Sequence, residues 1–435
     1  MRKIILSIYV CLITVSITAQ LSVSPKNITK EMMTVNDTVT VIIFDSISSS
    51  TEISYIGSET NVHWYKYTDL TTPITTELYI SPEDSTGYVL DVNGVKTEIW
   101  TIDYKKRMPD FKAFAAEDKP KDQCENVNLI LNAEVPLLTY KALSGNKYII
   151  PRIYKLNYQT SQWTDKWDTI PAPTQEISLP TTSVITVPAP FSDTYFILSG
   201  DQYAKELGLK YDSIIVSNKY TAVAVKCYPT SIVQTRDQTN EGDRPSNKTD
   251  VSGSAPLIMQ FLSNANLPTT EFYKWEIFKE AATEPFITHN DQDINYTFND
   301  YGTYHVKLTV SNNNCSYVDS TITITTSISA IYAPNVFTPN GDGLNDEFRV
   351  AYKSIISFEA WVYSRWGRLV YHWTDPQKGW DGNIGGRKAT PGPYFYVIKA
   401  LGSDFNPNSK PDTKTHLRLG EYLLKGDINL LRGTK

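Results

Sequence analysis

The chain has 435 residues with 41 basic and 47 acidic side chains, a net charge of −6, and so lacks the basic excess that a nucleic-acid backbone demands of a partner. Its length exceeds what one hydrophobic core organises and sets an expectation of about three domains. The 28 Tyr, the frequent Thr and the 24 Pro that punctuate short apolar stretches suit strands and turns better than long helices, so the expected fold class is all-β.

Residues 1–19 open with Arg2 and Lys3, continue as an apolar run from Ile4 to Ile17 and end on the small Ala19 before Gln20. This is the pattern of a secretory signal peptide; the run is too short to cross about 30 Å of hydrocarbon unaided. Cys11 lies inside the run behind Val10, which argues against lipid attachment. No later stretch is long and apolar enough for a membrane helix, so the mature chain is expected to leave the inner membrane. Without the signal, Cys124, Cys227 and Cys315 remain, an odd number for an oxidising compartment. A Cys124–Cys227 bridge would close a loop of about 100 residues, worth up to roughly 4–5 kcal/mol in the chain-entropy picture. Three unpaired thiols are the equal alternative.

From 20 to 108 short strand-like runs at 38–44, 62–67, 76–80, 87–92 and 96–104 are separated by turn residues such as Asn93-Gly94. They predict an immunoglobulin-type sandwich with Trp64 in its core and Tyr88 near the start of a late strand. The charged segment 105–123 reads as a linker or short helix. A second β-rich domain follows over 124–234, with strands expected at 148–156, 175–179, 183–187, 195–198 and 222–228 and a helix hinted at 202–209. Residues 235–250 hold almost no large apolar side chain and read as a linker that cannot order itself by burial.

Residues 251–327 contain Trp275 within a strand and the run from Tyr296 to Val310, where Tyr304, Val306, Leu308 and Val310 alternate with more polar residues, as a half-buried antiparallel strand should. The stretch resembles the polycystic-kidney-disease-type domain, an immunoglobulin-like sandwich. That family has a Gly-Asp-Gly turn soon after its central Trp, where this chain has Glu276-Ile277-Phe278-Lys279-Glu280, so the resemblance speaks to the fold and not to the loops.

The most specific signal lies between 331 and 435. Phe337-Thr338-Pro339-Asn340-Gly341-Asp342-Gly343 and Asn345-Asp346 form a tight loop after a strand, because Gly is free at positive φ and short oxygen-bearing side chains bond their own backbone. Arg365-Trp366-Gly367 follows a strand, Trp380-Asp381-Gly382 forms a turn, and Gly392, Tyr394 and Tyr396 open another strand before an apolar end closed by Arg432. Four motifs in this order, spanning about 331–432, resemble the gliding-motility-associated carboxy-terminal domain, the type B sorting signal of the type IX secretion system in Bacteroidota. Pro393 stands where that family has Thr, and Gly433-Thr434-Lys435 follows the terminal Arg. The resemblance implies that the outer-membrane translocon is a partner, reading the folded module after Sec-dependent export. It places the protein on the cell surface or outside the cell.

Candidate chemistry is sparse. Asn340, Asp342, Asn345 and Asp346 offer hard oxygen ligands for Ca²⁺, yet without the bidentate Glu of an EF-hand; an ordinary hydrogen-bonded turn is the weightier reading, and no other cofactor is indicated. Trp361, Trp366, Trp373 and Trp380 read as core more readily than as a sugar platform. The five His show no metal-ligand spacing, and no nucleophile elbow, phosphate loop or Cys–His pair is evident. The carboxylate pairs Asp291/Asp293 and Glu117/Asp118 fall in loop-like contexts. The expected architecture is therefore a row of immunoglobulin-like sandwiches ending in a β-rich sorting domain, acting as a non-catalytic binding protein for an extracellular polysaccharide or protein ligand. An exported hydrolase with its active site within 20–234, or a structural part of the surface or gliding machinery, are the competing readings.

Overall fold

The computed structural model describes residues 20–33, 37–180, 184–209, 214–237, 239–245 and 251–432. The signal sequence expected at 1–19 lies outside them. Strands dominate, with one five-residue α-helix, Gln202–Glu206, among the described residues. Among the described residues no helix is long and apolar enough to cross a membrane. The chain divides into two compact units, one of residues 1–161 and 169–222, the other of 162–168 and 223–435.

In the first unit a five-stranded sheet runs in the order Asn27–Met33, Thr38–Phe44, Val95–Asp103, Thr86–Val92, Val62–Lys66, with a three-stranded sheet of Leu21–Ser24, Glu52–Tyr55 and Tyr79–Ile80. Asn93 (φ 52°) and Gly94 (φ 88°) make the tight reversal between the two long strands, as Asn-Gly does in a hairpin. Trp64 and Tyr88 are fully buried in a core that draws Ile42, Phe44, Ile53 and Ile80 from both sheets. The strand Thr38–Phe44 reads Val41-Ile42-Ile43-Phe44 without alternation because both of its faces are covered: Val39, Val41 and Ile43 pack with Trp100 and Ile102 against Leu138, Tyr140, Ile150, Tyr203 and Leu207. A continuous apolar run is what burial on both faces requires.

Residues 105–123, expected as a linker or short helix, hold single 3-10 turns at Lys105–Arg107 and Pro120–Asp122 around the strand Asp110–Ala116, which pairs antiparallel with Asn126–Glu134; Phe114 points inward from it. The stretch 222–228 is not a strand, and the helix ends at Glu206. Pro151 divides the expected strand at 148–156 into Lys147–Ile150 and Arg152–Asn157, since a proline cannot donate to a ladder. The expected Cys124–Cys227 bridge is absent. Cys227 is a free thiol sealed in the interior, where burial pushes its pKa up to about 12, whereas Cys124 is disulfide-bonded.

A buried ion pair fastens this unit. Arg152 is 1% exposed and Asp201 0%. Arg152 Nε donates to Asp201 Oδ2 at 2.5 Å, Tyr104 Oη donates to Asp201 Oδ1 at 2.7 Å, and the two Arg152 Nη atoms reach Tyr104 Oη and the carbonyls of Arg107 and Pro136. Asp201 Oδ1 also caps the helix by accepting from Ala204 N. Such a pair stabilises only while both charges are satisfied.

The second unit begins with two sheets, Thr230–Val233, Leu257–Leu262 and Ile294–Phe298 in one and Ser252–Gly253, Ser316–Thr326, Gly302–Ser311, Phe272–Lys279 and Ile287–His289 in the other. Trp275 is fully buried, 5.9 Å from Phe261, and donates its Nε1 to the Gln292 carbonyl. The strand Phe272–Lys279 runs straight past Trp275 and turns at Glu280, φ 47°. A five-stranded sheet follows, in the order Val336–Phe337, Glu421–Leu430, Gly392–Gly402, Ile355–Tyr363, Leu369–Trp373.

The described part of the expected linker at 235–250 is bound in place. Arg236 pairs with Glu241 through two hydrogen bonds of 3.0 and 2.7 Å, Glu241 is buried and bridges to Tyr352, and Asn240 Nδ2 donates to the carbonyls of Val350 and Pro376. A polar segment needs no apolar burial when a neighbouring strand offers unpaired backbone groups. Nearby, Ser354 N donates to Ser254 Oγ at 2.7 Å and Ala255 N to Ser354 Oγ at 3.1 Å, both buried.

We expect Asp201→Ala, which strands a buried guanidinium and removes a helix cap, to lower stability by roughly 3–5 kcal/mol. The urea midpoint of the purified chain reads this; a loss below about 1 kcal/mol would mean that the pair is solvated.

Candidate functional site

All but one of the motifs between 337 and 432, far apart in sequence, meet around Trp380 and Arg432. The first is a loop closed on itself. Gly341 (φ 83°) and Gly343 (φ 85°) take the left-handed region, which turns their N–H groups onto Asp346: Gly341 N donates to Oδ1 at 2.6 Å and Gly343 N to Oδ2 at 2.8 Å. Asp342 accepts from Leu344 N and Asn340 Nδ2. Asn345, also at positive φ, offers its carbonyl to Thr338 N. All four side chains named as calcium ligands therefore lie in one loop, but both oxygens of each carboxylate already close the turn. Among the described residues no group of three or more His, Cys, Asp or Glu could hold a metal ion.

The third motif lies under the first. Trp380 is fully buried, 5.4 Å from Phe337 and 4.8 Å edge-on from Tyr394, and donates Nε1 to the Asn383 carbonyl at 2.8 Å. Asp381 holds the following turn by accepting from Asn383 N and Nδ2. Gly382 has φ 73°, and a Cβ there would stand 3.0 Å from Pro339 and 3.1 Å from Leu430, so close packing and conformation both require glycine. Arg432 completes the closure, with Nη1 donating to the Pro339 carbonyl at 3.1 Å and Nη2 to that of Gly382 at 2.8 Å. Gly392 (φ 135°) pairs with Leu430. Across the same pair of strands the Tyr396 ring lies over Gly426, whose Cβ, if present, would be 2.7 Å from Tyr396 Oη.

The second motif stands apart from this cluster. Arg365, Trp366 and Gly367 form the turn between Ile355–Tyr363 and Leu369–Trp373, and Trp366 is 81% exposed. The four tryptophans thus split: Trp373 and Trp380 are core, Trp361 is half-buried on the outer face beside His372, and Trp366 is in water. Of the carboxylate pairs, Asp293 caps Ser263 N and Glu117 pairs with Lys119; neither converges on a cleft. Sequence reasoning missed the Arg152–Asp201 pair and the bonds of Ser354 to Ser254 and Ala255, for which no local pattern exists.

Residues 331–417 match the family described as the CHU_C Type IX secretion signal domain. The signal domain marks the chain for export by type IX secretion, to the cell surface or the extracellular space. Its sheet runs beyond the match, since Glu421–Leu430 is the strand between its first and third members. A second match, described as a fibronectin type III domain, covers residues 116–216. The immunoglobulin-like family identified is thus fibronectin type III and not the polycystic-kidney-disease type expected at 251–327, where the uninterrupted strand through Trp275 replaces that family's turn. The chain is also similar to a solved tetra-tandem repeat in the extending region of a large adhesion protein (10% identity, 90% of this chain and 99% of that one, TM-score 0.22). Dimeric latent PorU from Porphyromonas gingivalis (12%, 79% and 36%, 0.16) and the three N-terminal domains of the bacteriophage RB49 Hoc protein (10%, 75% and 98%, 0.21) are similar in the same sense. Nothing about function follows from these three. No curated protein matches the chain.

Two outcomes follow from the geometry. Arg432→Ala should cost the module roughly 2–4 kcal/mol, from two charge-assisted bonds, measured as a lower melting temperature. The Asp346 carboxyl is held below the usual carboxylate range because the Gly341 and Gly343 N–H groups bond its charged form. Its depressed folded value means that its stabilisation is complete above the unfolded pKa and is lost as pH falls through the folded one. The Gly341 and Gly343 amide NMR shifts should report that acid step, and an Asp346→Asn chain should lack it.

Proposed function

We propose that this is an exported, non-catalytic binding protein of the cell surface or its surroundings, whose upstream β-domains contact an extracellular polysaccharide or protein. Delivery begins with a Sec signal at 1–19 and ends with the translocon reading the folded module at 331–432. The observation that carries the reading is the convergence of Phe337, Pro339, Trp380, Gly382 and Tyr394, all inside the matched signal domain, into one structure closed by Arg432 beyond it. The remaining domains present β-sandwich surfaces, and their carboxylates serve as caps and ion pairs, which supports binding over turnover.

The test follows the full-length protein, a form lacking 331–435 and the Arg432→Ala variant through the periplasm, cell surface and medium of the host. The full chain should appear outside, the deletion should stay in the periplasm, and Arg432→Ala should be exported less. Equal external amounts of all three would remove the export reading. Screening the purified protein for glycan and protein binding beside hydrolysis separates the binding role from an enzyme, since a binding protein should retain ligands and release no product.

A further inference from the structure

Trp366 and Arg365 contribute nothing to the closure of the signal domain, yet the fold presents them rigidly. Their turn is fixed by Ser364 N donating to the Arg368 carbonyl at 2.8 Å, Gly367 N to the Ser364 carbonyl at 2.9 Å and Arg368 N to Ser364 Oγ at 3.3 Å, with Gly367 at φ 76°. The Arg365 guanidinium lies over the indole, 4.5 Å from the ring centroid, so each orders the other. Leaving an indole in water forgoes the burial of roughly 150–250 Å², and Trp366 is the most exposed large apolar side chain of the described residues.

The surroundings specify what would cover it. Arg365 and Arg368 are both exposed, and among the described residues neither pairs with a carboxylate, in a chain whose net charge is negative. The tip joins Leu369–Trp373, the outermost strand of its sheet, with no further strand paired beyond it among the described residues. Leu369 is itself half exposed. An apolar ring flanked by two free guanidinium groups at an open sheet edge fits an apolar socket rimmed by carboxylates, and Trp and Arg are the side chains that concentrate binding energy at interfaces.

Resting on the export reading above, we propose that the Arg365–Trp366 tip is the contact through which a protein of the export machinery recognises the folded signal domain, taking the indole into an acidic-rimmed apolar pocket. Closure by Arg432 and display by Trp366 are then separate properties of one module.

The experiment compares Trp366→Ala and the double variant Arg365→Glu/Arg368→Glu with the full-length protein and the 331–435 deletion in the native host, beside melting curves of each purified full-length chain. Both variants should melt within about 2 °C of the parent, as exposed substitutions do. Their external fraction should fall roughly tenfold or more, the scale of a lost interface anchor, with the protein recovered folded in the periplasm, while Trp366→Phe restores export. Export of both variants at the parental level, with the deletion retained, would overturn the tip as the recognition contact and leave the export reading standing. Export of the deletion as well would overturn both. Should Trp366→Ala melt lower, the double variant decides alone: retained at unchanged melting temperature it supports the proposal, and exported it overturns it.

Discussion

One guanidinium holds the last module together. Arg432 joins the carbonyls of Pro339 and Gly382, 93 and 50 residues away in sequence, and can do so only because Gly382 lacks a Cβ and because Leu430, beside it, is buried at the end of the strand Glu421–Leu430. That strand lies between Val336–Phe337, which it pairs in parallel, and Gly392–Gly402. The first and last segments of the module are therefore neighbours. Closure is thus non-local, and such pairings form late because chain entropy opposes them until the ends meet. Until residues 421–432 are in place the Pro339 loop has no anchor and Trp380 no complete lid, so the motifs exist as a surface only in the finished fold.

The same module is not hung from a free tether. Glu241 is buried beside Tyr352 with Arg236 as its counter-charge, Asn240 spans to Val350 and Pro376, and Ser354 donates its N–H to Ser254 Oγ while its own Oγ accepts from Ala255 N, out of reach of water. Each is a polar contact, and a buried one left unmade costs more than it contributes when made. Parting the module from the preceding β-domain would expose several such groups at once, so the two behave as neighbours with a fixed joint. Substitutions inside the module therefore address it more cleanly than its removal does.

What the sequence disclosed follows the physics of short range. The hairpin at Asn93-Gly94, the alternating strand Gly302–Ser311 and the glycine-rich loop at 340–346 were legible because turn chemistry and side-chain period are local properties. The four terminal motifs were legible as a set, although that Trp380, Gly382 and Arg432 touch was not. At 105–123, expected as a linker or short helix, the strand Asp110–Ala116 was missed because it carries charges on the outward side and reveals itself only through its pairing with Asn126–Glu134. The polar 235–250 segment failed for a related reason: composition shows that it buries little, and says nothing of backbone groups offered by a strand a hundred residues on. That Cys227 is the free thiol was left open because spacing along the chain carries no information about which sulfurs meet.

A signal read as a linear string would have no use for burying most of its aromatic residues. Here Phe337, Trp373, Trp380 and Tyr394 are inside, and Asp342 and Asp346 turn their oxygens toward their own backbone. Among the large apolar side chains of the module, the fold leaves Trp366 the most exposed, followed by Leu344 and Tyr332, with the sheet edge at Leu369–Trp373 open beside the tip. Burial thereby divides the motif residues into those that build the core and those, Trp366 foremost, that another protein can touch. An unfolded chain would show all of these side chains, and a folded one only those few in a fixed geometry. On the recognition proposed above, discrimination between the two states requires no separate sensor, because only the folded chain presents the Arg365–Trp366 tip in its fixed turn.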